Sequence, residues 1–234
     1  MTDGDGRAET SIDTLLAGAK VTFTNAEQLY LEAKVLAGVG AKARALCLHQ
    51  ISLEECAKVE KLGAWAVSLV LGHDVDKKKA LTALGHHAAK NKQNAYMLEP
   101  SQDEKDARKR GDMKAALEAF QKTQVEFHAK SNGAKNASLY VDWQDGAFVA
   151  PADRITEEML QETAARNETF LGYAQNGVNS LIRLAANPDT LKELLAEFVE
   201  QAENLRASKQ ANPFEAMEEL TSRFMEAGKA RLKP

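Results

Sequence analysis

Five prolines stand among 234 residues, and none precedes Pro100. Proline is the residue that most strongly interrupts a helix, so a chain this sparsely punctuated is free to run in long helical segments. Glycine is scarce too, at 14, and aromatic residues make up only 6%. Alanine, leucine, glutamate and lysine fill the remaining positions. That usage points to an all-α protein rather than a β-sandwich or barrel.

The punctuation divides the chain into segments. Residues 1–23 read as a loosely packed tail. A first helix starts at Thr24 or Asn25, with Ala26, Leu29, Tyr30, Ala33, Leu36 and Ala37 at helical spacing, and Gly38 and Gly40 break it. The second runs from Ala41 to Leu71, and the third from Asp76 to Leu98, stopping before Pro100. Residues 99–112 are dense in charge and read as a solvated loop or an exposed helical turn. A fourth helix follows from Met113 to Lys130 and ends near Asn132–Gly133. Residues 138–149 break the pattern. Ser138-Leu-Tyr-Val-Asp-Trp143 has β-type composition, Gln144-Asp145-Gly146 supplies a turn, and a short hairpin follows. Thr156 begins a long helix to Ala186, Asn187-Pro188 restarts the chain toward Ser208, and Asn212-Pro213 opens a last helix to Lys229.

The net charge of −4 gives no global sign of nucleic-acid binding and leaves only a local patch open. Two cysteines exclude a disulfide scaffold and a four-cysteine zinc site. On one helix Cys47 and Cys56 would lie about 13 Å apart along the axis, too far to bridge. The segment Met1–Thr10 has no apolar signal core, and the longest mostly apolar run, Ala64–Leu71, is too short to span a bilayer. A cytoplasmic protein without a membrane partner is expected.

No nucleotide-binding glycine loop, HExxH, GxSxG or EF-hand pattern occurs. A ferritin-like metal site would need inward Glu-x-x-His pairs on two helices, and none is present. No metal or cofactor is expected. Among polar residues, Glu55 shares a helical face with Leu48, Ile51, Val59 and Leu62, so it faces the core, with Lys58 in reach. Glu54 falls beside Gln50, Lys58 and Lys61 and reads as solvent-facing. A carboxylate on an apolar face must be paired, hydrogen-bonded or protonated, and is either an inter-helix brace or a functional group. His87 aligns with Ala80, Leu84, Ala95 and Leu98 and faces inward, with Lys90 nearby. It is either a satisfied core histidine or, if it meets Glu55, a tuned one. Arg44 and His49 have R-x4-H spacing, but five helical steps set them about 140° apart, poorly placed for one phosphate. Lys135, Tyr140 and Asp142 form a further candidate: a cation before an ordered loop could bind phosphate, while an edge hairpin packed on a helix is the plainer alternative.

Taken together, Tyr30-x-x-x-Lys34, the S-x-E-E-x-x-K run Ser52–Lys58, His87-Ala-Ala-Lys90, Lys135-Asn-Ala-Ser-Leu-Tyr-Val-Asp142 and Pro151 with Ile155-Thr-Glu-Glu158 resemble the AbiV-type abortive-infection proteins. The resemblance spans roughly residues 20–186. It implies a HEPN-like helical bundle over 24–186 with a C-terminal helical extension, 187–234, and a homodimer. It implies a role in phage defence: shutting down translation on infection, as a metal-independent ribonuclease or through a phage-encoded protein activator. Catalysis would then fall to Glu55, Lys58, His87 and Lys90, with RNA phosphate held by Lys135, Tyr140 and Asp142. HEPN ribonucleases use an R-x4-6-H motif. Arg166-Asn-Glu-Thr opens like one, but no histidine occupies the next four to seven positions. The alternative is a non-catalytic helical module that recognises a phage or host protein.

Overall fold

The computed structural model describes residues 10–85, 94–208 and 212–232. Its helices are α1 (Ile12–Gly38), α2 (Lys42–Val70), α3 (Lys77–Gly85), α4 (Gln102–Lys109), α5 (Met113–Leu139), α6 (Pro151–Arg154), α7 (Glu157–Ala186), α8 (Pro188–Ala207) and α9 (Pro213–Arg231). Among the described residues a 3-10 turn covers Ala95–Met97, and a hairpin pairs β1 (Asp142–Gln144) with β2 (Ala147–Val149).

Three long helices, α1, α2 and α7, form the centre. Leu15, Ala19, Phe23 and Ala26 of α1 meet Leu53, Val59, Leu62 and Trp65 of α2 and Phe170, Val178 and Leu181 of α7 in one buried cluster. Each fully buried large apolar side chain contributes about 1.5–3 kcal/mol. Alanines at the helix contacts, among them Ala19, Ala26, Ala57 and Ala66, are wholly buried and let the backbones approach closely. A second cluster joins Ala43 and Leu46 of α2, Ala137 of α5, Ile155, and Leu160 of α7, with Leu36 and Ala37 against it. The C-terminal pair α8 and α9 packs chiefly on itself, through Leu194, Leu220 and the Phe198–Phe224 rings at 5.0 Å.

Several boundaries differ from the sequence expectation. The first helix begins at Ile12, because Ser11 caps it by accepting the Thr14 N–H, and Leu15, Ala19 and Phe23 bury at helical spacing. Residues 12–23 therefore belong to the bundle and are not a tail. Residues 102–109 form a regular helix, with Ser101 as its cap and the Glu104 carboxylate buried under Arg108. Helix α5 passes straight through Gly133 to Leu139: tertiary burial of Ser131, Ala137 and Ser138 outweighs the roughly 1 kcal/mol preference against an interior glycine. Hairpin, turn and register follow the sequence. Asp145 and Gly146 both take positive φ (48° and 87°), the geometry of a two-residue type I′ turn.

Candidate functional site

The polar centre of the bundle lies where α1, α2 and α7 meet. His49 and Ser52 sit one turn apart on α2, and Asn167 reaches them from α7. All three are buried to 1% exposure or less. Ser52 Oγ is 2.7 Å from the Ala26 carbonyl and 3.0 Å from the Asn167 amide, which is 3.0 Å from His49 Nδ1. A hydroxyl carries one hydrogen, and a carbonyl can only accept, so Ser52 donates to Ala26. Asn167 Oδ1 is the second acceptor within reach of the Ser52 hydroxyl, and the Asn167 Nδ2–H donates to His49 Nδ1, which leaves the imidazole proton on Nε2. These bonds tie α1, α2 and α7 together in register. Burial, and secondarily the nearby Lys34 charge, lowers the His49 pKa to about 4. Lys34 in turn stands over the Tyr30 ring, whose edge meets His49 at 5.4 Å. A sealed, neutral imidazole of this kind is a brace and cannot reach a substrate proton.

Arg44 takes a different direction, as its spacing required. Its Nη1 donates to the Ser138 and Leu139 carbonyls at 2.9 and 3.1 Å, capping the C-terminus of α5. Glu54 corrects the sequence reading. It is buried rather than solvent-facing, and ion-pairs with Lys135 at 2.6 Å. The cause is α5, which covers that face of α2; the helical wheel of α2 alone could not reveal it. Lys135 is thereby held in the bundle instead of being presented to a phosphate. Glu55 is buried and pairs with Lys58 at 2.5 Å, one of the partners its position allowed. Tyr140 stands largely exposed, and Asp142 accepts from Arg154 at 3.3 Å. His87 and Lys90 lie outside the described residues. Among the described residues the structure pairs Glu54 with Lys135 and Glu55 with Lys58. Cys47 and Cys56 are free and buried.

A cleft that the sequence reading did not assemble lies between α5 and α7. Its volume is about 410 Å³, and Lys130, Arg154 and Arg166 line it with Gln50, Ser131 and Glu162. Glu162 receives Lys130 at 2.8 Å and Arg166 at 2.8 Å. The Lys130 bond first, then Arg166, holds its carboxyl below the usual range, so it is ionised at neutral pH. The Arg166 guanidinium lies over the Phe127 ring, its Cζ 5.4 Å from the centroid, a cation–π contact that helps place it. Arg166 and Asn167 are adjacent on α7: one enters the cleft while the other locks the core. The open R-N motif was the available signal; Lys130, Arg154 and Gln50 gave none, because they come from three other elements. Among the described residues no three His, Cys, Asp or Glu converge on a possible metal position, and no helix is long and apolar enough to cross a membrane.

Compared with known families, residues 14–172 match the family described as AbiV, of HEPN type. The match covers more than half of the chain. The chain belongs to the AbiV family. The all-α bundle is accordingly a HEPN-type fold, and the family ties the chain to abortive infection. A protein of Sinorhizobium fredii (strain NBRC 101917 / NGR234), "Uncharacterized protein y4gJ", is 55% identical over 109 residues, 47% of this chain. The chain spans 57% of that relative's length. No solved structure matches. On the AbiV fold, helix α7 carries both Arg166 of the cleft and Asn167 of the core, within the matched region.

Proposed function

We propose that this AbiV-family chain is an abortive-infection effector that halts translation on phage infection by engaging RNA, with the α5–α7 cleft as the phosphate site. The observation that carries the reading is the placement of Arg166. Its guanidinium lies over the Phe127 ring and borders a cleft with two further cations, Lys130 and Arg154. Clustered cations neutralise a phosphodiester, and a guanidinium stabilises the charge that grows on a phosphorane during attack by the ribose 2′-hydroxyl. In such a cleavage the 2′-oxygen bonds to phosphorus, the P–O5′ bond breaks to leave a cyclic phosphate, and Glu162, a carboxylate lining the cleft, takes the 2′-hydroxyl proton and passes it to the departing 5′-oxygen. A second copy of the chain and a phage-encoded activator are the partners this role calls for.

The test incubates purified protein with total RNA or tRNA without metal, and follows amino-acid incorporation in infected cells. Arg166→Ala should weaken RNA binding about tenfold and abolish phage protection at an unchanged melting temperature. Wild-type protection and RNA binding by Arg166→Ala would refute the reading.

A second reading, a helical module that recognises a protein, has its own observation. Tyr140, Val141, Trp143 and Phe148 cluster in and beside the hairpin and are all more than half exposed, with Trp143 and Phe148 packed edge-to-face at 4.9 Å. Exposed apolar groups gathered in one place mark interaction sites.

A further inference from the structure

The cleft contains polar groups that a phosphate site does not use. Gln50 and Ser131 line it, and are only 5% and 4% exposed. Among the described residues neither side chain has a hydrogen-bond partner within the protein. Yet no side-chain nitrogen or oxygen that is fully sealed from solvent lacks a partner. The Gln50 amide and the Ser131 hydroxyl therefore keep some contact with solvent, and both residues line the cleft. A nearly buried amide and hydroxyl with no partner in the protein are free to bond a ligand that offers complementary groups.

We propose that the cleft accommodates one nucleotide, with its phosphate on Lys130 and Arg166 and its base edge on the Gln50 amide. This deepens the RNA reading above and rests on it for the ligand's class. The chemistry follows from two sets of lining groups. Lys130 and Arg166 already grip a carboxylate, that of Glu162, at 2.8 Å each. An incoming phosphate offers the same anionic oxygens with more charge and replaces Glu162 as their partner. Gln50, far more buried than Lys130, carries one donor and one acceptor side by side on its amide. That pair matches a nucleobase edge that offers one of each, as glutamine does with adenine N6 and N7. Ser131 adds a hydroxyl that can donate or accept toward the ribose or base. The volume, about 410 Å³, lies within the range of small-molecule sites. Inorganic phosphate and ribose 5-phosphate lack the planar, paired donor–acceptor edge that the Gln50 amide matches.

Isothermal titration of the full chain decides the matter, using the four nucleoside 5′-monophosphates, ribose 5-phosphate and inorganic phosphate. Wild type should bind at least one nucleoside monophosphate about tenfold more tightly than ribose 5-phosphate, the worth of a satisfied amide. Gln50→Leu, similar in volume and apolar, should abolish that preference and leave ribose 5-phosphate binding unchanged. Arg166→Ala should weaken every phosphate ligand. Gln50→Met repeats the experiment if Gln50→Leu melts more than a few degrees low. Equal binding of ribose 5-phosphate and all four nucleotides, or a preference that survives both Gln50 variants, would overturn the proposal. No nucleotide binding together with intact RNA binding overturns this proposal alone. Nucleotide binding by a protein whose Arg166→Ala variant still protects cells refutes the effector reading and leaves the nucleotide site standing.

Discussion

Acidification should destabilise this protein in part through His49. His49 is sealed between α1, α2 and α7, and its pKa is lowered to about 4 by burial and then by Lys34, against an ordinary 6.5. The folded state therefore holds a neutral imidazole where the unfolded chain would be protonated. The stability this provides is fully present above pH 6.5 and is lost as the pH falls toward 4. At pH 5 the unfolded state gains a factor of roughly 30 from protonating this group, which at RT near 0.59 kcal/mol is about 2 kcal/mol. In a chain of this size that lowers the melting temperature by about 4–8 °C. Carboxylates titrate over the same range, so wild type is compared with His49→Gln, which cannot titrate there and can still bond Asn167. Melting temperatures measured from pH 7.5 to pH 5 should fall more steeply for wild type, by that 4–8 °C. Parallel curves would show that His49 is not held neutral, and the buried network would have to be redrawn with a charged imidazole.

Three further outcomes follow from buried or exposed groups. Glu54→Gln removes one member of the ion pair with Lys135, both largely buried, and should cost about 3–5 kcal/mol in denaturant titration; Glu54→Leu with Lys135→Met should cost less than either single change. Glu60 faces Gly177 across α2 and α7, and burial raises its carboxyl pKa; Glu60→Gln should stabilise the protein at pH 7, and the gain should vanish below pH 4. Trp143→Ala with Phe148→Ala removes exposed hairpin rings and should alter stability by less than about 1 kcal/mol; loss of phage protection in that variant would favour the protein-recognition reading, and retained protection would exclude it.

Helical periodicity made most of the bundle legible. The Asp145-Gly146 turn, the prolines at 151, 188 and 213 and the caps at Thr156 and Asn212 stand where local chemistry put them. Ser11-Ile-Asp-Thr14 and the Leu15, Ala19, Phe23 spacing did signal an earlier start for α1. Gly133 signalled a stop that tertiary burial overrode. Glu54 was misplaced because α2 is covered by α1, α7 and α5, and a single-helix wheel assumes one buried face. The cleft was beyond the sequence for the same reason: its cations come from α5, α6 and α7, and its amide from α2.

The residues that carry family likeness and those that build the cleft are linked through one helix. Asn167 is wholly buried and holds α7 to His49 and Ser52, while Arg166, its neighbour, borders the cleft. Rotating α7 by one residue's 100° would exchange them, burying a guanidinium and exposing the amide. The buried network therefore sets the angle at which Arg166 meets the cleft, and a core substitution should be felt there. Asn167→Leu leaves His49 and Ser52 without their shared partner, at about 1–3 kcal/mol for each group stranded. If the coupling holds, that variant loses RNA affinity at temperatures well below its own melting point. Asn167→Leu that is destabilised yet binds RNA as tightly as wild type would separate the core from the cleft and show that Phe127 and Glu162 suffice to aim Arg166.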